Sequence, residues 1–163
     1  MKFLKHMFPI TFVLLLALAV AACVQAPTVP PPVTGVSTPA TATTSSAPAL
    51  IHTATATVKG TSKTILTNAQ GMTLYYFTPD TPTTSMCTTG CSGIWPALLV
   101  TGSSAPTSSP ALPGTLAVHT NANGNQVEYN GHFLYTFSGD SAPGQTNGEG
   151  IRGKWFVATP DLH

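Results

Sequence analysis

Charge is the scarcest commodity in this chain: among 163 residues only six are Lys or Arg and five are Asp or Glu. Past residue 22, Lys59, Lys63, Arg152 and Lys154 stand against Asp80, Glu128, Asp140, Glu149 and Asp161, a formal charge of −1. No basic face is available to neutralise phosphates, which excludes nucleic acid as a partner. After the leader, no apolar run approaches the ~20 residues that cross a bilayer as a helix. No window carries a helical period, and Pro and Gly punctuate too often for one. The chain has no Gly-x-Ser-x-Gly, no phosphate loop and no Cys-x-x-Cys-His haem attachment. His52, His119, His132 and His163 lack the close spacing of metal ligands and read as solvent-facing polar residues. An enzymatic role and a bound cofactor therefore have no positive support.

What is present begins at the N-terminus. Lys2 and Lys5 precede an almost wholly apolar run from Phe8 to Val20, and the run ends in Ala21-Ala22-Cys23. This is the layout of a cleaved leader with small residues at the peptidase site. It resembles the lipobox of bacterial lipoproteins, in which the cysteine is acylated and the preceding residues are removed. The resemblance implies a signal peptide over 1–22, lipid attachment at Cys23 and a place on the outer face of a cell membrane. Two or more acyl chains would anchor firmly where one is marginal. The competing readings are an uncleaved transmembrane anchor and an ordinary signal peptide with an incidental cysteine.

Residues 23–56 are nearly all Pro, Thr, Ser, Ala and Val, without an aromatic or a charge. Such a segment buries too little apolar surface to offset ordering entropy. We read it as a tether reaching on the order of 100 Å when extended at ~3.1 Å per residue. The remainder, 57–163, has the size of one small domain.

That domain contains an internal repeat at a constant offset of 60. Gly71, Leu74, Tyr75, Phe77 and Asp80 recur as Gly131, Leu134, Tyr135, Phe137 and Asp140; Gly90, Gly93 and Trp95 recur as Gly150, Gly153 and Trp155. Two copies, about 57–100 and 116–160, predict one pseudo-symmetric domain rather than an array, each copy closed by its own tryptophan. The pattern within each is that of strands. Thr57 to Thr67 reads as a strand, Asn68 to Gly71 as a turn and Met72 to Phe77 as the partner. In the second copy Leu116–Thr120, the turn 121–124, Gln126–Tyr129, an Asn130-Gly131 hairpin and His132–Phe137 follow, with Lys154–Ala158 last. The expected class is all-β, built of hairpins with long loops after each aspartate.

Tyr75-Tyr76-Phe77-Thr78-Pro79-Asp80 and Tyr135-Thr136-Phe137-Ser138-Gly139-Asp140 match the motif Yx(F/W/Y)xxD. With Cys87 to Cys91, Trp95-Pro96 and the Pro143-Gly144 segment in order, the chain resembles the bacterial family of predicted lipoproteins called the secreted repeat of unknown function. The resemblance covers about 57–160, and its motif residues here are Tyr75, Phe77, Asp80, Trp95, Tyr135, Phe137, Asp140 and Trp155. It implies an extracytoplasmic, lipid-anchored module without a settled activity. Trp95-Pro96-Ala97 departs from the family's usual Trp-Pro-Pro.

Each motif has a bland reading and a sharp one. Outside the cytoplasm Cys87 and Cys91 are expected to oxidise into a structural disulfide. The alternative is a redox or Cu(I) site of Met86, Cys87 and Cys91, which His119 or His132 could join. Asp80 and Asp140 are expected to accept backbone N–H groups of their own loops, the alternatives being a cation site or an acid–base pair. Large aromatics default to the core. Tyr76, facing opposite to Tyr75 and Phe77, is the better candidate for a surface contact. The function read from the sequence is a non-catalytic binding or scaffolding module of the cell envelope, the alternative being envelope redox or copper handling.

Overall fold

The computed structural model describes residues 49–163. The leader, Cys23 and most of the expected tether lie outside the described residues. The fold is all-β, as expected. Strand β1, Ile51–Val58, begins inside the segment read as tether, which corrects the boundary at 56. Its run of Thr and Ala has little apolar bulk of its own, but the core and a partner strand enclose it: Ile51 is buried in the cluster of Leu66, Leu74 and Leu134, and Ala56 and Val58 in that of Tyr75, Trp155 and Val157. That partner is β2, Thr61–Asn68, antiparallel from Ile51↔Asn68 to Val58↔Thr61. The single strand expected over Thr57–Thr67 is thus a hairpin. It turns at Lys59-Gly60, where both φ angles are positive (47° and 79°) and match the twist of a two-residue turn.

Strand β3, Tyr75–Phe77, follows the Asn68–Gly71 turn, whose Asn68 Oδ1 accepts the N–H of Gln70 (3.0 Å) and of Met72 (2.9 Å). The short β4, Ser108–Ser109, lies parallel to the start of β1. In the second copy β5, Leu116–Asn121, and β6, Gly124–Tyr129, form a hairpin, and β7, His132–Phe133, returns on β6. Asn130 and Gly131 make that last turn with φ of 49° and 82°, as the Asn-Gly pair predicts. A 3-10 turn over Ile151–Gly153 leads into β8, Trp155–Val157.

The copies do not close on their own tryptophan segments. β8, from the second copy, pairs antiparallel with β3 of the first, Tyr75↔Val157 to Phe77↔Trp155. Reciprocally, the segment after Trp95 runs along the second copy: Ala97 bridges Tyr135, and Thr136 and Ser138 donate to the carbonyls of Pro96 and Ile94 (both 2.9 Å). Two three-way cycles of backbone bonds lock the exchange. Leu66 N–H donates to Ala158 (2.8 Å), Ala158 to Leu74 (2.8 Å) and Leu74 back to Leu66 (2.9 Å). Val127 donates to Leu98 (2.9 Å), Leu98 to Leu134 (2.9 Å) and Leu134 to Val127 (3.0 Å). An unpaired buried N–H or C=O is costly, so neither half is satisfied without the other's strand.

Successive residues of a strand face opposite ways, and here that alternation divides the core. Ile65, Tyr75, Tyr135, Trp95 and Trp155 join one buried cluster, while Leu66, Leu74, Leu134, Leu98 and Ala158 join the other. Tyr75 and Tyr135 sit at the junction of the copies, exchanging N–H to O=C bonds of 2.8 and 3.0 Å.

Candidate functional site

The tyrosine of each copy reaches the aspartate of the other. Tyr75 donates its hydroxyl to Asp140 Oδ2 (2.6 Å), and Tyr135 donates to Asp80 Oδ2 (2.7 Å). The second oxygen of each carboxylate serves its own loop: Asp80 Oδ1 accepts Met86 N–H (2.7 Å), and Asp140 Oδ1 accepts Asn147 N–H (3.0 Å). Gly148 N–H donates to Tyr75 Oη at 3.2 Å, and a Cβ there would meet Tyr75 and Trp95 at 2.8 Å, so only glycine lets the loop approach. Burial pushes both phenols far above the ordinary tyrosine range, and the neighbouring carboxylates add to it. Burial also raises the Asp80 carboxyl, outweighing the bonds from Met86 and Tyr135 that lower it. The motif carboxylates therefore tie loops to tyrosines.

On the same side of the core lies a row of four rings. Phe77 stacks on Trp155 (4.2 Å between centroids), Trp155 stacks on Trp95 (3.8 Å, planes 1° apart), and Trp95 meets Phe137 at a tilt of 31° (4.5 Å). Tyr75 and Tyr135 meet Trp95 and Trp155 edge-on at 5.4 and 5.2 Å. The row is ordered by the repeat: ring for ring, the first copy mirrors the second about the contact between the indoles.

These four rings line an open cleft of about 500 Å³, together with Met86, Gly90, Cys91, Ile94, Ile151, Arg152 and Lys154. That volume suits a small-molecule site. The faces of both indoles are covered by their neighbours in the row, so Trp95 and Trp155 offer the cleft only their edges, while Phe77 and Phe137 end the row with one stacking neighbour each. Met86 and Ile94 are 60% and 54% exposed at the cleft, against 4% for each tryptophan. Cys91 also lines it, paired to the buried Cys87 in the expected disulfide (Cα–Cα 5.5 Å).

The rim is where the two copies part company. Position for position, Cys91, Ser92 and Ile94 in the first correspond to Ile151, Arg152 and Lys154 in the second. One lip is apolar and pinned by the disulfide; the other is cationic. Arg152 is held at φ 53°, a left-handed conformation that costs a side-chain-bearing residue about 1–2 kcal/mol. Around it Gly153 donates to Gly150 (3.0 Å) and Lys154 to Ile151 (3.1 Å), bonds that fix this lip. Arg152, Lys154 and Ile94 escaped sequence reasoning, which looked for matches between the copies; the signal lay in their mismatches.

Of the remaining candidates, Met86 and Cys91 line the cleft and the histidines do not. With both sulfurs in a disulfide, Cys87 and Cys91 offer no thiolate, so the soft-ligand set with Met86 is not assembled in this state. His132 stacks edge-on against Tyr76 (5.0 Å), and His119 against Phe133 (6.0 Å) beside Glu128 (3.2 Å); neither lines the cleft. Tyr76 is half-buried, its ring 5.9 Å from that of Phe156.

The structure thus defines a two-copy β domain whose halves exchange their closing strands around a stacked aromatic cleft. A model of the family described as a secreted repeat of unknown function matches residues 56–99 and 117–159, more than half of the chain, and the protein belongs to that family. No curated protein and no solved structure matches it. Membership puts the domain in an extracellular or envelope setting. Among the described residues, no helix is long and apolar enough to cross a membrane.

Proposed function

We propose that this is a lipid-anchored, extracytoplasmic and non-catalytic binding module, acylated at Cys23, that presents the aromatic cleft to the cell envelope. The leader and the small residues before Cys23 support the anchor. The observation that carries the binding role is the cleft itself: exposed Met86 and Ile94 line it together with the four rings of the row. Its lining includes no carboxylate, imidazole or hydroxyl, which supports binding over acid–base chemistry. The anchor is tested by palmitate labelling of the wild type and of Cys23→Ser; label in both, or in neither, overturns it. The binding face is tested with 4-butylbenzamide and the emission of Trp95 and Trp155, the only indoles in the chain. The amide is expected to perturb that emission, and Met86→Ser with Ile94→Ser is expected to abolish the response. No response in the wild type removes the cleft as a binding face.

A second reading, redox exchange at the disulfide, is favoured by one observation: Cys91 opens onto the cleft. A pair that no physiological dithiol reduces would end it, as thiol titration reads directly. A reducible pair would reopen Cu(I) binding by Met86, Cys87 and Cys91, which competition with a Cu(I) chelator measures.

A further inference from the structure

The geometry points to a ligand class for this cleft: a small planar aromatic acid, its rings over the stacked floor and its anionic group against Arg152 and Lys154. The inference rests on the cleft being a binding face and adds what it selects.

Three observations converge. The first is charge. Arg152 and Lys154 are two of the four cations past the leader, both line this cleft, and no acidic residue lines it. Lys59, by contrast, is already paired with Glu149 at 3.4 Å. A carboxylate meeting a guanidinium and an ammonium makes charge-assisted hydrogen bonds, and arginine is shaped to hold it bidentately.

The second is the floor. In the row Phe77, Trp155, Trp95, Phe137 each indole has a ring on either side, so the faces are taken. The edges that remain carry the positive end of the ring quadrupole. At its centre, where the two indoles meet, such a floor favours the electron-rich face of a flat ligand over a cation, which would seek a ring face; only Phe77 and Phe137, at the two ends, have a side outside the row.

The third is the asymmetry of the rim. The pseudo-symmetric scaffold would give both lips the same character, yet Ile94 faces the cleft where its counterpart is Lys154. Met86 and Ile94 make an apolar lip, and Arg152 and Lys154 a cationic one. A ligand apolar at one end and anionic at the other fits in one orientation only.

The test uses the full chain in phosphatidylcholine vesicles, with protein-free vesicles as blank, and three near-isosteric probes: 4-butylbenzoate, 4-butylbenzamide and 4-butylbenzylammonium. Emission of Trp95 and Trp155 reports binding. The expected order is benzoate tightest and ammonium weakest. Arg152→Gln with Lys154→Gln is expected to weaken benzoate about tenfold, as two exposed charge-assisted contacts predict, and to weaken the amide far less. Raising salt should narrow the same gap. An unchanged thermal midpoint in the double variant confirms that the lip, not the fold, was altered; should it shift, the single variants Arg152→Lys and Lys154→Gln carry the comparison. Equal affinity for all three probes overturns the acid as ligand while leaving the cleft as a binding face. No response to any probe overturns both. Preference for the ammonium overturns the assignment of charge.

Discussion

Tyr75 donates its hydroxyl to Asp140, 65 residues away, across 2.6 Å of the junction between the copies. Its mirror image joins Tyr135 to Asp80 at 2.7 Å. The repeated Yx(F/W/Y)xxD motif is therefore two crossed latches, each written half in one copy and half in the other.

Breaking a latch leaves a buried carboxylate short of a donor. Tyr75→Phe is expected to lower the unfolding free energy by about 2 kcal/mol, the range for a hydrogen bond to a charged group. Urea unfolding of Tyr75→Phe, Asp140→Asn and the double variant should show coupling of about 1 kcal/mol or more, because the two residues are in contact. Additive losses would mean that the bond contributes nothing.

Asp80 makes stability depend on acid in a direction opposite to most carboxylates. Burial raises its carboxyl, so the folded chain holds the proton more tightly than the unfolded one. Its contribution is full below the unfolded value of about 4 and is lost as pH rises through the folded one. Relative to Asp80→Asn, which does not titrate, the wild type should gain stability as pH falls from neutral towards that value. Urea midpoints for both proteins across that span measure it; a relative loss on acidification would reverse the sign.

Exchange of the closing strands makes each half dependent on the other. Cutting the exposed loop between Ser104 and Ala105 separates the copies but leaves every cycle of Leu66, Leu74 and Ala158, or Val127, Leu98 and Leu134, short of a member. Each piece alone should lack a cooperative thermal transition, and an equimolar mixture should regain it along with the near-ultraviolet signal of the stacked indoles. A single piece that folds unaided contradicts the exchange.

Reducing the disulfide should loosen one lip of the cleft. The link between Cys87 and Cys91 closes a very short loop, for which chain entropy gives about 2 kcal/mol. Trp95 N–H bonds to the Cys91 carbonyl at 2.8 Å, so the indole should feel the change. A lower thermal midpoint and a red-shifted emission in dithiothreitol are expected; emission unchanged on full reduction would detach Trp95 from the bridge.

The class, the repeat and the Asn130-Gly131 hairpin were legible because each is local or self-similar. Lys59-Gly60 carries no clear turn signal in the sequence, since lysine rarely adopts positive φ and does so here between two paired strands. Residues 51–56 have the composition of a tether, poor in apolar bulk; pairing with β2 and packing of Ile51 and Ala56 into the two core clusters bury them, and neither is visible in the segment itself. The exchange was hidden for a deeper reason. When two copies carry the same residues at the same spacing, Trp155 satisfies either copy equally well on paper, and only the geometry of the connection selects one. The aspartates' loop contacts follow from local rules, whereas their tyrosine partners sit in the other copy and obey none.

The crossed architecture also bears on dilution. Two separate molecules bearing one copy apiece would have to meet before either could complete its sheet, and their integrity would fall with concentration. Fusion by the segment between Val100 and Leu116 replaces that encounter with an effective concentration set by linker length. An interface that would otherwise be a homodimer's thus becomes indifferent to how sparsely the protein is spread.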